Sequence, residues 1–226
     1  MNDILWGGRP PPSRGPKPAL SLDRIAATAI EIADAEGLAA VSMQRVAADL
    51  GFTKMSLYRY LPGKAELVAL MVERAVGEPP ALDAADWRAG LAEWSRRLLA
   101  RYLRHPWTLE ATVGPRPLGP HELGWMDRAL ALLAPTGLSG ADRLDTIAVL
   151  AGHARMIAQQ AAPGPAPEAQ LVGQLAGILR EHGERFPALA ASVADAARGG
   201  ADQAFDFGLD RILDGLAALI ARRAYP

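Results

Sequence analysis

Residues 42–64, SMQRVAADLGFTKMSLYRYLPGK, predict two short helices joined by a tight turn. Ser42 is a suitable N-cap for the first helix, whose apolar side chains recur at spacings of three and four residues. Gly51 follows at the position where a residue of left-handed conformation commonly ends a helix. Thr53 can cap the second helix, and Pro62 with the glycine after it ends that helix after barely two turns. This spacing is typical of a helix-turn-helix.

The second helix of this pair has an inward and an outward side. Leu57 and Leu61 lie four residues apart and can face the core, so the other side chains point away from it. In helix-turn-helix proteins the second helix enters the major groove of DNA, and its N-terminal residues contact base edges. The side chains expected to contact DNA are Ser42, Gln44, Lys54, Met55, Ser56, Tyr58, Arg59, Tyr60 and Lys64.

Two kinds of DNA contact are expected within this set. The residues expected to determine base preference are Gln44, Lys54 and Ser56. The residues expected to reach phosphates, which fix the register of the protein on the duplex, are Tyr58, Tyr60 and Lys64. The alternative is a helical hairpin of a bundle, in which the tyrosines are half-buried core residues.

Length and composition indicate an ordinary globular protein. With 226 residues and 50% hydrophobic content, one or two domains with a sizeable core are expected. The sequence has no cysteine, which excludes disulfides and thiolate metal sites and agrees with a reducing compartment. No apolar run approaches the roughly 20 residues of a membrane span, and the N-terminus has no hydrophobic secretory core. We therefore expect a soluble cytoplasmic protein.

The charge distribution is compatible with DNA binding but does not by itself favour it. The net charge is -1, and residues 1–76 carry a slight excess of basic over acidic side chains. All three lysines, Lys17, Lys54 and Lys64, lie in this part of the chain. We therefore expect weak non-specific binding that weakens further as salt rises, with affinity depending on a few placed contacts.

Residues 1–20 are rich in proline and glycine, so a helix or strand cannot persist there and an extended arm is expected. Arg9, Arg14 and Lys17 lie on this arm. The tripeptide Gly8–Arg9–Pro10 is similar to the core of an AT-hook, in which an arginine enters the minor groove. Two interpretations stay open, a minor-groove contact and a plain disordered tail.

Helical periodicity continues along the rest of the chain without a sustained period-two segment. We predict an all-α fold, with an N-terminal three-helix helix-turn-helix domain followed by a second helical domain. The predicted divisions are the arm (1–20), the helix-turn-helix domain (21–76) and the second domain (77–226). The longer helices are predicted over about 22–36, 63–76, 87–104, 123–133, 142–161, 168–183 and 202–223.

Two helices of the second domain have broad apolar surfaces. The final helix is apolar on two faces, and so is the helix that begins near Asp142. Such helices can bury one face in their own domain and the other against a twin subunit in a four-helix interface. We expect a homodimer, because paired recognition helices read two half-sites of a palindrome about one helical turn apart. A monomer core is the alternative.

The segments EGLAAVSMQRVAADLG (36–51) and TKMSLYRYLPGKAEL (53–67) resemble the DNA-binding domain of the TetR family of bacterial repressors. RHPW (104–107), GPRPLGP (114–120) and FDFGLDRILDGLAAL (205–219) are similar to the ligand-binding domain of its tetracycline-repressor branch. The resemblance implies a repressor that binds a DNA operator and a small-molecule inducer. It also implies that the inducer fills a pocket near the fourth helix and moves the two DNA-binding heads apart.

Matching positions in this branch imply a set of pocket-lining residues, which are Trp94, Leu98, Thr112, Arg116, Trp125, Met126, Ala129 and His153. Other interpretations stay open. Tryptophans at helical spacing are more often core residues, Arg116 can simply tie its loop, and His153 can be a satisfied buried histidine.

Three departures from the tetracycline repressors bear on the inducer. Thr112 stands where those proteins place a metal-binding histidine, Ala161 where they place its acidic partner, and Trp94 where they place an amide. A magnesium chelate of tetracycline would therefore lose its ligands. We expect no metal site, and a larger, more apolar or aromatic inducer that fits the tryptophans.

Catalytic motifs are not visible in the sequence. Gly63–Lys64 lacks the earlier glycine of a phosphate loop, because Tyr58 occupies that position. Residues 137–141 lack the final glycine of a nucleophile elbow, and the four histidines lack metal-binding spacing. We therefore expect neither enzyme activity nor a cofactor. The alternative to a ligand-responsive repressor is a DNA-binding activator, or a regulator without a small-molecule ligand.

Overall fold

The computed structural model describes residues 4–7, 19–82, 86–161, 167–198 and 203–224. All regular secondary structure in these residues is helical, so the predicted all-α class is confirmed. None of the described helices is both long enough and apolar enough to cross a membrane. The AT-hook-like tripeptide Gly8–Arg9–Pro10 lies outside the described residues.

The helices, in chain order, are α1 (Leu22–Glu36), α2 (Met43–Asp49), α3 (Lys54–Tyr58), α4 (Lys64–Val76), α5 (Trp87–Arg104), α6 (Thr108–Ala111), α7 (Pro120–Leu133), α8 (Gly140–Gln160), α9 (Pro167–His182), α10 (Pro187–Ala196) and α11 (Ala204–Ala224). Short 3-10 turns cover Leu38–Ala40, Ala134–Thr136 and Gly183–Arg185. The contacts divide the chain into two compact units, Met1–Thr136 and Gly137–Pro226.

The first three helices begin where the sequence predicts. The side chains of Ser21, Ser42 and Thr53 each accept a hydrogen bond from a backbone N–H of the first turn of α1, α2 and α3. Gly51 ends the α2 segment with a φ of 76°, a left-handed conformation that favours glycine. These local signals confirm the predicted helix-turn-helix between α2 and α3.

Complete burial of two leucines anchors the short α3 helix. Leu57 and the following Leu61 are 0% exposed, as is Leu67 at the start of α4. Burying each such side chain contributes about 1.5–3 kcal/mol. A five-residue helix is not stable by itself, so this packing holds α3 in place.

Helix α4 lies in the middle of the first unit. It packs against α1 and also against α5, α6 and α7. Most of its residues are buried, including the charged Glu73. The predicted division between residues 76 and 77 therefore falls inside one compact unit, and the functional division there stays a prediction.

A buried carboxylate on α4 sets the start of α7. The backbone N–H of His121 donates to Glu73 Oε1 at 2.6 Å, and the N–H of Glu122 donates to Oε2 at 3.4 Å. The His121 Nδ1 atom also lies 3.0 Å from the Glu73 carbonyl oxygen. A carboxylate at a helix N-terminus satisfies free N–H groups and interacts favourably with the helix dipole.

Two predicted helix starts are corrected. The sequence places the start of α7 at Leu123, whereas the helix begins at Pro120, because proline suits the first helical position and Glu73 supplies the missing acceptors. The sequence places the start of α8 at Asp142, whereas the helix begins at Gly140 after the Ser139 cap. Ser139 and Asp142 form a reciprocal capping box.

An aspartate on α1 joins that helix to the end of α5. The Asp34 carboxylate lies 2.8 Å from His105 Nδ1 and accepts a hydrogen bond of 2.7 Å from the indole N–H of Trp107. His105 and Trp107 are both buried. The RHPW tract therefore links α1 to the start of α6.

In the second compact unit, α8 packs against α11. Leu209, Leu213 and Leu216 of α11 are buried, as are Ile147 and Leu150 of α8. Both helices also keep apolar side chains at the surface, with Leu144 50%, Val149 53% and Phe207 64% exposed. Helices α9 and α10 pack against each other in the same unit.

Candidate nucleic-acid interface and ligand site

The outward side of the helix-turn-helix carries the predicted DNA-contacting residues. The exposed members are Ser42, Gln44, Lys54, Met55, Tyr58, Arg59 and Lys64. Met55, with 72% of its surface exposed, is an apolar side chain that has no role in the core. An exposed methionine at the N-terminal end of a recognition helix can contact the methyl group of thymine.

Two members of the predicted set are half-buried. The Ser56 hydroxyl lies 3.0 Å from the Thr53 hydroxyl, and its N–H donates to that same oxygen. The Tyr60 hydroxyl donates to the Leu20 carbonyl oxygen at 3.1 Å. A phosphate oxygen would have to compete with this carbonyl for the hydroxyl hydrogen, because a phosphate can only accept.

A cation lies over an aromatic ring on the outward side of α3. The Lys54 ammonium is 5.5 Å from the centre of the Tyr58 ring, within the range of a cation–π interaction. The contact holds two predicted DNA-contacting side chains next to each other. Their side chains thus present a positive charge and a hydroxyl group on one exposed surface.

Ion pairs connect α1 with α2 and α1 with α4. Arg45 of α2 bonds to Glu36 at 2.8 Å and to Asp49 at 3.1 Å. Hydrogen bonding to the Arg45 guanidinium lowers the pKa of the Glu36 carboxyl. A further pair joins Arg74 of α4 to Asp23 of α1 at 2.6 Å. The ion pairs of Arg45 were not predicted from the sequence, although its spacing of four residues from Asp49 was a visible signal.

The two predicted pocket tryptophans contact each other. Trp94 and Trp125 are 2% and 4% exposed, and their ring centres are 6.2 Å apart with an interplanar angle of 60°. The Trp94 indole N–H donates to the Trp125 carbonyl oxygen at 2.9 Å, and the Trp125 indole N–H donates to the Gly77 carbonyl oxygen at 3.1 Å. Both indoles thus have the backbone partners that a core tryptophan needs.

Arg116 also has an internal partner. Its guanidinium makes a two-pronged contact with the Glu122 carboxylate, in which Nη1 lies 2.6 Å from Oε1. Both side chains are mostly buried. The pair ties the loop before α7 to the first turn of that helix, which was the alternative interpretation for Arg116.

The remaining predicted pocket residues differ in their surroundings. Leu98 and Ala129 are buried, Met126 is 38% exposed, and the Thr112 hydroxyl donates to the Thr108 carbonyl oxygen at 2.7 Å. These residues lie in the first compact unit together with the two tryptophans and Arg116.

His153 belongs to the second compact unit. Its Nε2 atom lies 2.9 Å from the Phe205 carbonyl oxygen, and its ring stacks on the Phe205 ring at 5.4 Å with an interplanar angle of 6°. The ring also packs so closely on Gly208 that a larger residue there would collide with it. This histidine has the contacts of a satisfied, packed residue.

Two polar clusters were not found by sequence reasoning. Asp34 with His105 and Trp107, and Glu73 with the start of α7, depend on residues far apart in the chain. The only local signal was a single acidic residue on the apolar side of α4. Within the described residues, no group of three or more His, Cys, Asp or Glu side chains is arranged to hold a metal ion.

Two family models match the chain. The model for bacterial regulatory proteins of the tetR family covers residues 21–71, and the model for the tetracyclin repressor-like C-terminal domain covers residues 79–220. Together these matches span the helix-turn-helix and most of the remaining chain.

Named relatives point in the same direction. The chain is 40% identical to the HTH-type transcriptional repressor DrrR1 of Streptomyces coeruleorubidus, over 98% of this chain and 86% of that protein. It is 31% identical to an HTH-type transcriptional regulator of Saccharopolyspora erythraea, over 93% and 90% of the two chains. The structure of the TetR family protein ActR of Streptomyces coelicolor in complex with actinorhodin matches with a TM-score of 0.76 and 30% identity, over 89% and 98% of the chains. ActR has also been solved in complex with (S)-DNPA.

Proposed function

Since this chain belongs to the TetR family of bacterial transcriptional regulators, we propose that it is a ligand-responsive repressor that binds a palindromic operator as a homodimer. Membership confirms the resemblance drawn from the sequence. The family consists of DNA-binding regulators, so the expectation that the chain is not an enzyme is also confirmed.

One observation carries the DNA-binding part of the proposal. The buried side chains of Leu57 and Leu61 hold one side of α3 in the core. Its first residues, Lys54 and Met55, are exposed and have no role in the core. We assign base contacts to Lys54, Met55 and Ser56, together with Gln44 of α2. We assign phosphate contacts to Tyr58, Arg59 and Lys64, with Ser42 and Tyr60 at the edge of the surface.

A second copy of this chain is the partner that suits the surface of α8 and α11. A groove of about 240 Å³ runs between these helices, with Val149, Ile212 and Leu219 among its lining residues. Val149 is 53% exposed, and the neighbouring Leu144 is 50% exposed. Burying these side chains in a twofold interface with the same helices of a partner would remove apolar surface from water.

We infer that the inducer is a small apolar or aromatic molecule. The buried indoles of Trp94 and Trp125, with Leu98, Ala129 and the more exposed Met126 beside them, offer apolar surface rather than metal ligands. The actinorhodin complex of ActR supports this assignment, because that relative is 30% identical to this chain. Thr112 and Arg116, which belong to the same unit, supply polar groups expected of a ligand site, and the predicted ligand role of His153 stays a prediction.

The route from ligand to DNA runs through α4 in this proposal. That helix contacts α1 of the DNA-binding part, and its Glu73 side chain caps α7, the helix that carries Trp125. A ligand that prefers one arrangement of α7 therefore also prefers one arrangement of α4.

One set of contacts favours the alternative, a regulator without a small-molecule ligand. The indoles of Trp94 and Trp125 and the Arg116 guanidinium already have internal partners. A ligand would have to displace or add to these contacts, whereas a core without a ligand needs no change.

A titration of the full chain with labelled DNA from upstream of its neighbouring genes separates these possibilities. We expect specific binding by fluorescence anisotropy, and release of the DNA by an apolar aromatic compound but not by magnesium and tetracycline. Specific binding that no aromatic compound weakens would favour the alternative. Absence of binding to any such DNA would contradict the proposed function.

A further inference from the structure

A groove of about 260 Å³ lies beside α5, inside the first compact unit. Arg97, Arg101 and Arg104 line one wall, and their spacing of four and three residues places them on one face of the helix. Glu78, Pro80 and Trp125 also line the groove. It is separate from the surface of α3 that we assign to DNA.

The charges of this groove are unbalanced. Arg97 pairs with Glu93 on its own helix, with Nε 2.5 Å from Oε1. Among the residues that the structure describes, no carboxylate lies within ion-pair distance of Arg101 or Arg104. Besides the paired Arg97, two guanidinium groups without an ion-pair partner among the described residues therefore line the groove, against the single lining carboxylate of Glu78.

Two lining residues of the groove lie beside the end of α4. A Cβ atom at Gly77 would lie 3.7 Å from Arg101 Nη2, an ordinary van der Waals distance, so the guanidinium lies beside this glycine. The Trp125 indole N–H donates to the Gly77 carbonyl oxygen at 3.1 Å. Gly77 has a φ of 67°, so the chain turns here through a conformation that favours glycine.

We propose that this groove binds a small aromatic molecule with one carboxylate group. The planar guanidinium groups of Arg101 and Arg104 match a carboxylate, with which arginine forms strong two-pronged hydrogen bonds. Pro80 and Trp125 offer apolar contacts to a ring. The volume lies just below the usual range of about 300–1,000 Å³ for drug-sized ligands, which suits one or two rings.

The carboxylate of Glu78 limits the negative charge that a ligand of this groove can carry. This carboxylate repels additional negative charge, so an acid with a single charge is favoured over a dianion or a polyphosphate. A bound acid would contact Arg101, which lies against the end of α4, and would thereby bias the position of that helix. A change in DNA affinity caused by this shift of α4 rests on the proposed function, whereas binding of the acid to the groove does not.

The test is isothermal titration calorimetry of the full chain without DNA, with 2-naphthoate and its neutral counterpart 2-naphthalenemethanol as probes. We expect the acid to bind at least about tenfold more tightly than the alcohol, since hydrogen bonds to charged groups are the stronger ones. R101Q and R104Q should each remove this preference. R101K, which keeps the charge but not the planar fork, should retain only part of it.

Arg96 provides the matched control, because it lies on the same helix and does not line the groove. R96Q should bind both probes like the unchanged chain. Arg104 is exposed, so R104Q decides the outcome if R101Q melts at a lower temperature than the unchanged chain.

Three results would overturn the proposal: equal affinity for the acid and the alcohol, unchanged preference in R104Q, or an equal loss in R96Q. Operator binding is measured separately on the same samples. If the chain binds 2-naphthoate but no DNA, the groove assignment stands and the proposed function is wrong. If it binds operator DNA but not 2-naphthoate, the proposed function stands and the groove assignment is wrong.

Discussion

Thr53, Leu57 and Leu61 determine which side chains of α3 face outward. The threonine caps the helix, and the two leucines hold one side in the core, so Lys54 and Met55 have no route into the interior. These signals are local in sequence, which is why the outward set could be predicted without the structure.

Removal of a phosphate contact should weaken binding to every DNA sequence alike. We expect Lys64→Ala and Tyr58→Phe to reduce affinity for operator and random DNA by similar factors. Lys64→Ala should also lower the slope of log affinity against log salt by about 1, because one fewer counterion is released. Anisotropy titrations at several salt concentrations measure both effects, and a loss confined to the operator would count against the phosphate assignment.

Removal of a base contact should instead change sequence preference. Lys54→Ala is expected to cost about 1–3 kcal/mol on the operator and to relax discrimination at one base pair. The measurement is a competition of single-base operator variants for the mutant and the unchanged chain. An equal loss on every sequence after Lys54→Ala would contradict its assignment to base edges.

Other residue roles could not be predicted from local patterns. The Trp94 indole bonds to a residue 31 positions away, and the Trp125 indole to one 48 positions away. Helical spacing shows that such residues face inward, but it does not show which carbonyl receives each N–H group. Pocket and core tryptophans therefore give the same sequence pattern.

At the scale of elements, the capping residues divide into local and distant ones. Helices α1, α2, α3 and α5 begin after a serine, threonine or aspartate that caps them from the preceding position, and all four starts were predicted. Helix α7 takes its acceptors from Glu73, which lies 48 residues before His121. Its start was therefore predicted three residues too late.

Loss of the Glu73 carboxylate should destabilise the first unit. Glu73→Ala leaves the N–H groups of His121 and Glu122 without these acceptors, and we expect a loss of about 1–3 kcal/mol in the free energy of unfolding by urea. Gly119→Ala should also destabilise, because its new methyl group would collide with the Glu73 carboxylate.

Gly152→Ala is the matched control for that substitution. A Cβ atom at Gly152 meets no other atom within 4 Å, and the residue lies inside α8, so alanine should stabilise by about 0.5–1 kcal/mol. If Gly119→Ala and Gly152→Ala changed the free energy of unfolding equally, the predicted collision with the Glu73 carboxylate would be contradicted.

The capping box of α8 gives a pH-dependent prediction. Hydrogen bonding to Ser139 lowers the pKa of the Asp142 carboxyl, so the ionised form contributes stability above the ordinary carboxyl pKa. This contribution is lost as the pH falls through the lowered value in the folded state. Ser139→Ala should raise the pKa of Asp142 toward its ordinary value, as measured by NMR titration of the carboxyl carbon. An unchanged value would contradict the capping box.

At the scale of the whole molecule, the sequence predicted the class and the family more securely than the arrangement. Helical periodicity indicated an all-α protein, and the motifs around α2 and α3 indicated the TetR family, both of which are confirmed. The boundary at residue 77 was predicted from Gly77 and the prolines after it, and it stays a prediction, because α4 packs against α1 before this boundary and against α5, α6 and α7 after it. Local breaks in a helix pattern do not reveal packing across them.

The most direct test is to select the DNA sequences that the full chain binds from a library of random duplexes, and to measure the mass of the bound complex by analytical ultracentrifugation. It shows whether paired α3 helices read a palindrome. We predict an enriched palindrome whose half-sites lie about one helical turn apart, bound by two or a larger even number of chains. Enrichment of no sequence, or of a single half-site bound by one chain, would contradict the proposed repressor.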